Sequence, residues 1–239
     1  MKQTLALVFI AMFTLTSCTS QSWWRTERGE GPVTKRTIDL DDFDGVALAF
    51  SGDVYLTQGN TQKVEVEMQE SLFEYLNTNI RGGVWVIKFD RNVRTRDRMK
   101  VYITVPDLKE VSVSGSGSIV SENTFTNLGD LDIAVSGSGD IKMSLEGEDV
   151  KVGVSGSGDI TLEGSADDVS IRISGSGDIR AHELAAKTGS VSISGSGDVT
   201  IWAADDLEVR TSGSGDVAYK GRPRLSAKTS GSGDVESMR

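Results

Sequence analysis

A tetrapeptide, Ser-Gly-Ser-Gly, occurs seven times in this chain at intervals of 18 to 22 residues. The copies begin at Ser114, Ser136, Ser155, Ser174, Ser194, Ser212 and Ser230. In six of the seven copies the next residue is an aspartate. Self-similarity at a nearly fixed period is typical of proteins that stack one small structural unit upon the next.

Alternating apolar residues flank the copies of the motif. Around Ser155, for example, Val152 and Val154 precede the motif, and Ile160 and Leu162 follow it. A period of two with β-branched residues indicates strands that bury one face. If the alternation continues through the motif, the glycines point inward at a tight corner, and the serines and the aspartate point outward.

The repeat therefore predicts an all-β fold, a parallel β-helix (β-solenoid) of about ten coils between Val46 and Val235. Right-handed coiling is expected, because parallel crossovers have that hand by default. The alternative is an antiparallel sandwich or propeller in which Ser-Gly-Ser-Gly-Asp forms hairpin turns. Identical residues at an identical phase favour the solenoid, since stacking places like upon like.

The N-terminus has the pattern of an export signal over residues 1–17. Lys2 precedes an apolar stretch from Leu5 to Leu15, which is too short to span a bilayer as a stable helix. The sequence Leu15-Thr16-Ser17-Cys18 then resembles the lipobox of bacterial lipoproteins, in which the signal is cut before the cysteine and the cysteine is acylated. The resemblance implies lipidation at Cys18; the alternative is an ordinary signal peptide with an incidental cysteine.

This interpretation divides the chain into a lipoprotein signal peptide over residues 1–17, a lipidated N-terminus and tether over residues 18–37, and a β-solenoid domain over residues 38–239. Several acyl chains would hold the protein stably at a membrane. Thr19 stands where many lipoproteins retained in the inner membrane carry an aspartate. We therefore expect a lipid-anchored protein of the cell envelope, at the outer membrane, facing either the periplasm or the exterior.

Composition excludes several classes of function. The net charge is −10, and nucleic-acid binding needs a basic footprint. One cysteine permits no intramolecular disulfide, and one histidine, His182, permits no multi-histidine zinc site. No confident metal site is predicted.

The aspartates that follow the motif form the most distinctive set of candidate functional residues. Carboxylates one coil apart repel each other, so either hydrogen bonds from backbone N–H groups and serines stabilise them, or they hold cations such as Ca²⁺. Structural hydrogen bonding is the favoured interpretation, because the motif departs from known calcium-binding repeats. The members of this possible cation or ligand ladder are Asp140, Asp159, Asp178, Asp198, Asp216 and Asp234.

A basic cluster interrupts this acidic chain at Arg91, Arg94, Arg96 and Arg98. It is interpreted as a solvated loop, or as a patch that contacts anionic envelope polymer or lipid headgroups. Two tryptophans, Trp85 and Trp202, fall at outward phases of the alternation. They are therefore either exposed contact points or core residues whose register is misread.

Several motifs together resemble the putative auto-transporter adhesin head (GIN) domain family. They are Phe43-Asp44-Gly45-Val46, the strand from Gly82 to Ile87, Val105-Pro106-Asp107-Leu108 and the repeated Ser-Gly-Ser-Gly-Asp. The resemblance covers about residues 38–235. It implies a bacterial envelope protein with a parallel β-helix-like fold, and it brings no catalytic residues with it.

The sequence thus predicts a non-catalytic, lipid-anchored module of the cell envelope with an adhesion-like or structural role. A rigid rod with repeated outward groups suits repetitive ligands such as glycans. The alternatives are an envelope lipoprotein that binds another protein or signals stress, and a polysaccharide-active enzyme on a β-helix. No cofactor is expected apart from the Ca²⁺ alternative, and the oligomeric state is open.

Overall fold

The computed structural model describes residues 26–238, which form twenty strands and a short 3₁₀ helix over Glu70–Tyr75. The strands of the N-terminal part are β1 Glu27–Arg28, β2 Val33–Ile38, β3 Gly45–Leu48, β4 Gly52–Gln58, β5 Lys63–Gln69, β6 Ile80–Arg81, β7 Val84–Ile87, β8 Val93–Arg94 and β9 Met99–Val105. Those that follow are β10 Glu110–Val113, β11 Ser118–Ser121, β12 Phe125–Leu128, β13 Leu131–Val135, β14 Asp140–Val154, β15 Ile160–Ile173, β16 Ile179–Gly195, β17 Val199–Gly213, β18 Val217–Lys220, β19 Arg224–Gly231 and β20 Val235–Ser237.

From β10 onward the strands stack in parallel as a β-solenoid, which confirms the predicted fold class. The first long strand, β14, pairs in turn with three short strands, β11, β12 and β13. In β14, Ile141 pairs with Ile119 of β11, whereas Val150 pairs with Leu131 of β13. Each coil therefore consists of the second half of one long strand and the first half of the next.

The solenoid has about seven turns, so the prediction of about ten coils is too high. The difference arises between residues 59 and 109, where only β7 and β9 stack in parallel on the coil made by β3 and β4. There β5 pairs antiparallel with both β2 and β9, and β6 pairs antiparallel with β7. The prediction divided the whole length from Val46 to Val235 by the length of one repeat, and it therefore counted this segment as regular coils.

The same segment caps one end of the solenoid. β7 pairs with β3, and β3 pairs with β10, so the coil made by β7 and β9 lies outside the coil made by β3 and β4. The chain then crosses back over the earlier coil to begin β10. Antiparallel β2 and β5 extend the sheet beyond β9, which covers the backbone edge that an open solenoid would expose.

The fold also begins before the expected domain boundary at residue 38. β1 pairs with β8, and β2 pairs with β5 along its whole length. Residues 27–37, which the sequence assigned to the tether, are therefore part of the folded structure. The strand β2 carries mostly exposed polar residues, and such a strand has no apolar alternation to reveal it.

The core consists of inward columns of β-branched and leucine side chains. One such column contains Ile133, Val152, Ile171, Val191 and Val209, each at most 2% exposed. Burying each of these side chains stabilises the fold by roughly 1.5–3 kcal/mol. The column ends at Ala227 in β19, a strand whose residues are all exposed.

Candidate functional site

The glycines of the motif stand directly above one another in successive coils. A Cβ atom added to Gly158 would lie closer than 3.0 Å to the carbonyl oxygen of Gly139 in the coil below, and one added to Gly177 would meet Gly158 in the same way. The serines and the aspartate point outward, as predicted. Glycine is therefore required by the close stacking of backbone upon backbone, and not only by a tight corner within one coil.

The aspartates of the motif cap the backbone of the coil above. In five of the six, from Asp140 to Asp216, the Oδ1 atom accepts a hydrogen bond from the backbone N–H of the next aspartate in the ladder. The N···O distances from Asp159, Asp178, Asp198, Asp216 and Asp234 to the carboxylate below are 3.1, 3.0, 3.0, 2.8 and 2.8 Å respectively.

The first coil of the ladder shows what the carboxylate replaces. Below Asp140 stands Ser118, and there the N–H of Asp140 donates instead to the carbonyl oxygen of Gly117 at 3.1 Å. A carboxylate below thus takes over the role of a backbone acceptor. This agrees with the interpretation that the aspartates accept hydrogen bonds from backbone N–H groups.

Arginines offset part of the repulsion along the ladder. Arg180 lies 2.8 Å from Oδ2 of Asp159 and 3.1 Å from Oδ2 of Asp178, so one guanidinium bridges two coils. Burial acts to raise the pKa of Asp159, but the hydrogen bonds from Arg180 and from the N–H of Asp178 hold that pKa below its usual range. At the lower end of the column, Arg98 pairs with Asp53 at 3.0 Å.

The calcium alternative requires several oxygen ligands close together. Within residues 26–238, no three His, Cys, Asp or Glu side chains are close enough to share a metal ion. One oxygen of each ladder aspartate from Asp140 to Asp216 is already engaged by a backbone N–H. His182 is likewise engaged, since its Nδ1 lies 2.9 Å from Oγ1 of Thr200.

A groove runs across the coils along the outer face of β13 to β16. Its volume is about 450 Å³, and the first serine of four successive motif copies lines it, at Ser136, Ser155, Ser174 and Ser194. The exposed side chain of Arg172 lies in the same groove, next to the small residues Ala134 and Gly153. We call this surface the serine groove.

The structure divides the predicted basic cluster. Arg91 pairs with Glu27 at 3.7 Å, and Arg98 pairs with Asp53 at 3.0 Å. Arg94 and Arg96 instead line a pocket of about 330 Å³ together with Arg28. Sequence reasoning missed Arg28, because its partnership with Arg94 depends on a two-residue strand pairing that no periodicity reveals.

The two tryptophans have different surroundings. Trp85 is fully buried, and its Nε1 donates a hydrogen bond to the carbonyl oxygen of Asn77 at 3.0 Å, so it is a core residue. Trp202 is partly exposed, with the Lys220 ammonium 4.1 Å from its ring centroid. Of the two, only Trp202 is available as a surface contact.

The predicted lipidation site, Cys18, lies outside the described residues, as does the export signal. Among residues 26–238 there is no helix of the length and apolar character needed to cross a membrane.

Comparison with known families identifies a match over most of this fold. The profile of the family described as "Putative auto-transporter adhesin, head GIN domain" matches residues 42–223. The chain belongs to this family. The match spans the cap and most of the solenoid, including six of the seven motif copies, and it confirms the resemblance found in the sequence.

Several solved structures have the same fold. A putative adhesin from Bacteroides fragilis shares 26% sequence identity at a TM-score of 0.83, with 88% of this chain and 99% of that chain covered. A putative adhesin from Parabacteroides distasonis shares 25% sequence identity at a TM-score of 0.74, with 90% of this chain and 100% of that chain covered. Another protein from Parabacteroides distasonis, described as a putative lipid binding protein, shares 24% sequence identity at a TM-score of 0.75. The alignment again covers 90% of this chain and 100% of that chain. A comparison with curated proteins gives no match.

Proposed function

We propose that this GIN-domain protein is a lipid-anchored, non-catalytic binding module of the bacterial cell envelope that holds a repeating glycan in the serine groove. Acylation of Cys18 would supply the anchor, and the outer membrane is the proposed site. The observation that carries the proposal is the serine groove itself, in which the same hydroxyl recurs in four successive coils beside one guanidinium.

Serine hydroxyls both donate and accept hydrogen bonds, as sugar hydroxyls do. Identical contacts at regular spacing suit a polymer, because each additional sugar unit binds at a high effective concentration once the first is held. Arg172 forms no ion pair among residues 26–238. A free guanidinium favours carboxylate or sulfate groups, so an acidic glycan is the expected ligand.

The surroundings of the carboxylates support a non-catalytic role. Glycoside hydrolysis uses two carboxyl groups on opposite sides of the scissile bond, with different environments that set one as acid and the other as base or nucleophile. The ladder aspartates from Asp140 to Asp216 instead repeat one arrangement, in which the carboxylate accepts a hydrogen bond from a backbone N–H of the next coil.

The binding test compares the two serine columns of the motif. Replacing Ser155, Ser174 and Ser194 together by alanine is expected to weaken binding to an acidic glycan by at least about ten-fold, through the loss of several hydrogen bonds. The matched control replaces Ser157, Ser176 and Ser196, which belong to the same motif copies but do not line the groove. A glycan array read with all three proteins provides the measurement.

Two results would contradict the glycan proposal. One is an equal loss of binding in the control variant, which would show that the glycan does not bind specifically through the serines of the groove. The other is an array on which the wild-type protein binds no polymer while it captures one stoichiometric envelope protein, which would favour the protein-binding alternative. Release of reducing or unsaturated sugar ends would refute the non-catalytic assignment.

Anchoring is tested separately through Cys18. In cells, Cys18→Ala is expected to move the protein from the membrane fraction to the soluble fraction, because the acyl chains supply the stable attachment. Fractionation followed by immunodetection measures this, and Ser17→Ala, which leaves the cysteine in place, serves as the control. Membrane association that survives in Cys18→Ala would show that the protein is held by other means.

A further inference from the structure

Three arginines meet at the capped end of the solenoid. β1 and β8 pair in parallel with Arg28 directly opposite Arg94, and Arg96 follows two residues later. All three side chains are exposed, and they line the pocket of about 330 Å³ together with Gly29, Glu30 and Thr95. We call this surface the arginine pocket.

The charge balance of the arginine pocket is unusual for this protein. Like charges on directly opposed strand positions are destabilising. Yet none of the three arginines forms an ion pair within residues 26–238, whereas their neighbours Arg91 and Arg98 do. The carboxylate of Asp97, between Arg96 and Arg98, accepts a hydrogen bond from Gln69 at 3.1 Å instead. Three guanidiniums and one carboxylate, Glu30, therefore line the pocket in a chain of net charge −10.

The arginine pocket also lies where the N-terminal segment joins the fold. Thr26 is the first described residue, and β1 with Arg28 follows immediately. Cys18 is eight residues before Thr26, and eight extended residues span at most about 28 Å. A lipid on Cys18 would therefore hold the pocket within that distance of the membrane surface.

From this juxtaposition we propose that the arginine pocket binds the phosphate of an anionic lipid headgroup in the membrane that carries the anchor. Guanidinium groups bind phosphate oxygens in a bidentate manner. A phosphate bound among the three arginines would offset the repulsion between Arg28 and Arg94. Binding there turns the capped end toward the bilayer and directs the solenoid with its serine groove away from it. This orientation rests on the lipid anchor of the proposed function, whereas headgroup binding itself does not.

The experiment uses protein that begins at residue 18 and carries Cys18→Ser, so that every described strand is kept and no lipid is attached. Vesicles of phosphatidylcholine containing phosphatidylglycerol are expected to bind it, and vesicles of phosphatidylcholine alone are not. Arg94→Gln with Arg96→Gln should weaken binding about 30-fold, since each basic residue near an anionic surface contributes about five-fold. The matched control, Arg91→Gln with Arg98→Gln, removes the same charge from the same loop and should stay near wild type.

Circular dichroism of each variant establishes that it is folded before binding is measured. Equal losses in the two double variants would overturn the proposal, because general charge would then explain the binding. If the protein binds inorganic phosphate but binds vesicles with and without phosphatidylglycerol equally, the ligand is a free anion and the lipid proposal is wrong. If it binds a soluble anionic polysaccharide but not the vesicles, the ligand is a polymer and the lipid proposal is again wrong. Because this protein has no lipid, these outcomes are independent of whether Cys18→Ala releases the protein in cells.

Discussion

Gly158→Ala is expected to lower the melting temperature by about 6–12 °C, which corresponds to about 3 kcal/mol for a domain of this size. The new methyl group would meet the carbonyl oxygen of Gly139 in the coil below, and it would also lie 2.8 Å from Cγ1 of Val135. Neither neighbour can move easily, because the first is backbone within the stack and the second is a core side chain. The coils must separate locally, which weakens the hydrogen bonds between them. Thermal unfolding followed by circular dichroism measures the effect.

Gly153→Ala is the matched control for this variant. Gly153 lies in the same long stretch of chain, in β14, but a Cβ atom there would meet nothing within 4 Å. Since alanine is favoured over glycine within a strand by roughly 0.5–1 kcal/mol, this variant should be as stable as wild type or slightly more stable. If the two variants were equally destabilised, backbone flexibility rather than coil-to-coil contact would explain the glycines.

These glycines show how far the sequence determines the fold. The period of the motif and the alternation of Val152, Val154, Ile160 and Leu162 were enough to predict strands, their inward faces and parallel stacking. The same pattern left the reason for glycine incomplete, because the close contact is between coils and not along the chain. Contacts between residues in neighbouring coils, one repeat apart in the chain, cannot be predicted from the local sequence pattern.

The cap is where sequence reasoning failed, for a different physical reason. Between residues 59 and 109 the pairing is set by long-range antiparallel contacts of β5 with β2 and β9. The strand β4 lies on the far side of β9, although it precedes β5 in the chain. Strands such as β1 and β8 have two residues each, too few for any period to appear. Arg28 was missed for this reason, and the arginine pocket could be recognised only once the pairing of β1 with β8 was known.

Among the candidate residues, the ladder aspartates accept hydrogen bonds from backbone N–H groups, which agrees with the favoured structural interpretation. A lone carboxylate beside glycine and serine suggests capping. The sequence alone could not say which N–H group is capped, because that group belongs to the next coil. The split of the basic cluster depends on partners such as Glu27 and Asp53, which are more than 40 residues away in the chain.

Asp198→Ala and Asp198→Asn are expected to differ by about 2 kcal/mol in the free energy of unfolding, with the alanine variant less stable. Asp198 accepts a hydrogen bond from the N–H of Asp216 at 2.8 Å. Asparagine keeps a carbonyl oxygen that can accept this bond, whereas alanine leaves the N–H without its acceptor. Chemical denaturation of the two variants in the same buffer measures the difference.

The pair of variants separates hydrogen bonding from charge. Both substitutions remove one negative charge from between Asp178 and Asp216, so both relieve the same repulsion, which salt screens in the wild type. Their difference therefore reports the acceptor alone, and equal stabilities would mean that the carboxylate oxygen does not support the coil above. Asparagine still offers an oxygen to a cation but removes the charge that Ca²⁺ prefers. A Ca²⁺-dependent rise in melting temperature that is present in the wild type and absent in Asp198→Asn would assign the ladder a cation-binding role in addition to its structural one.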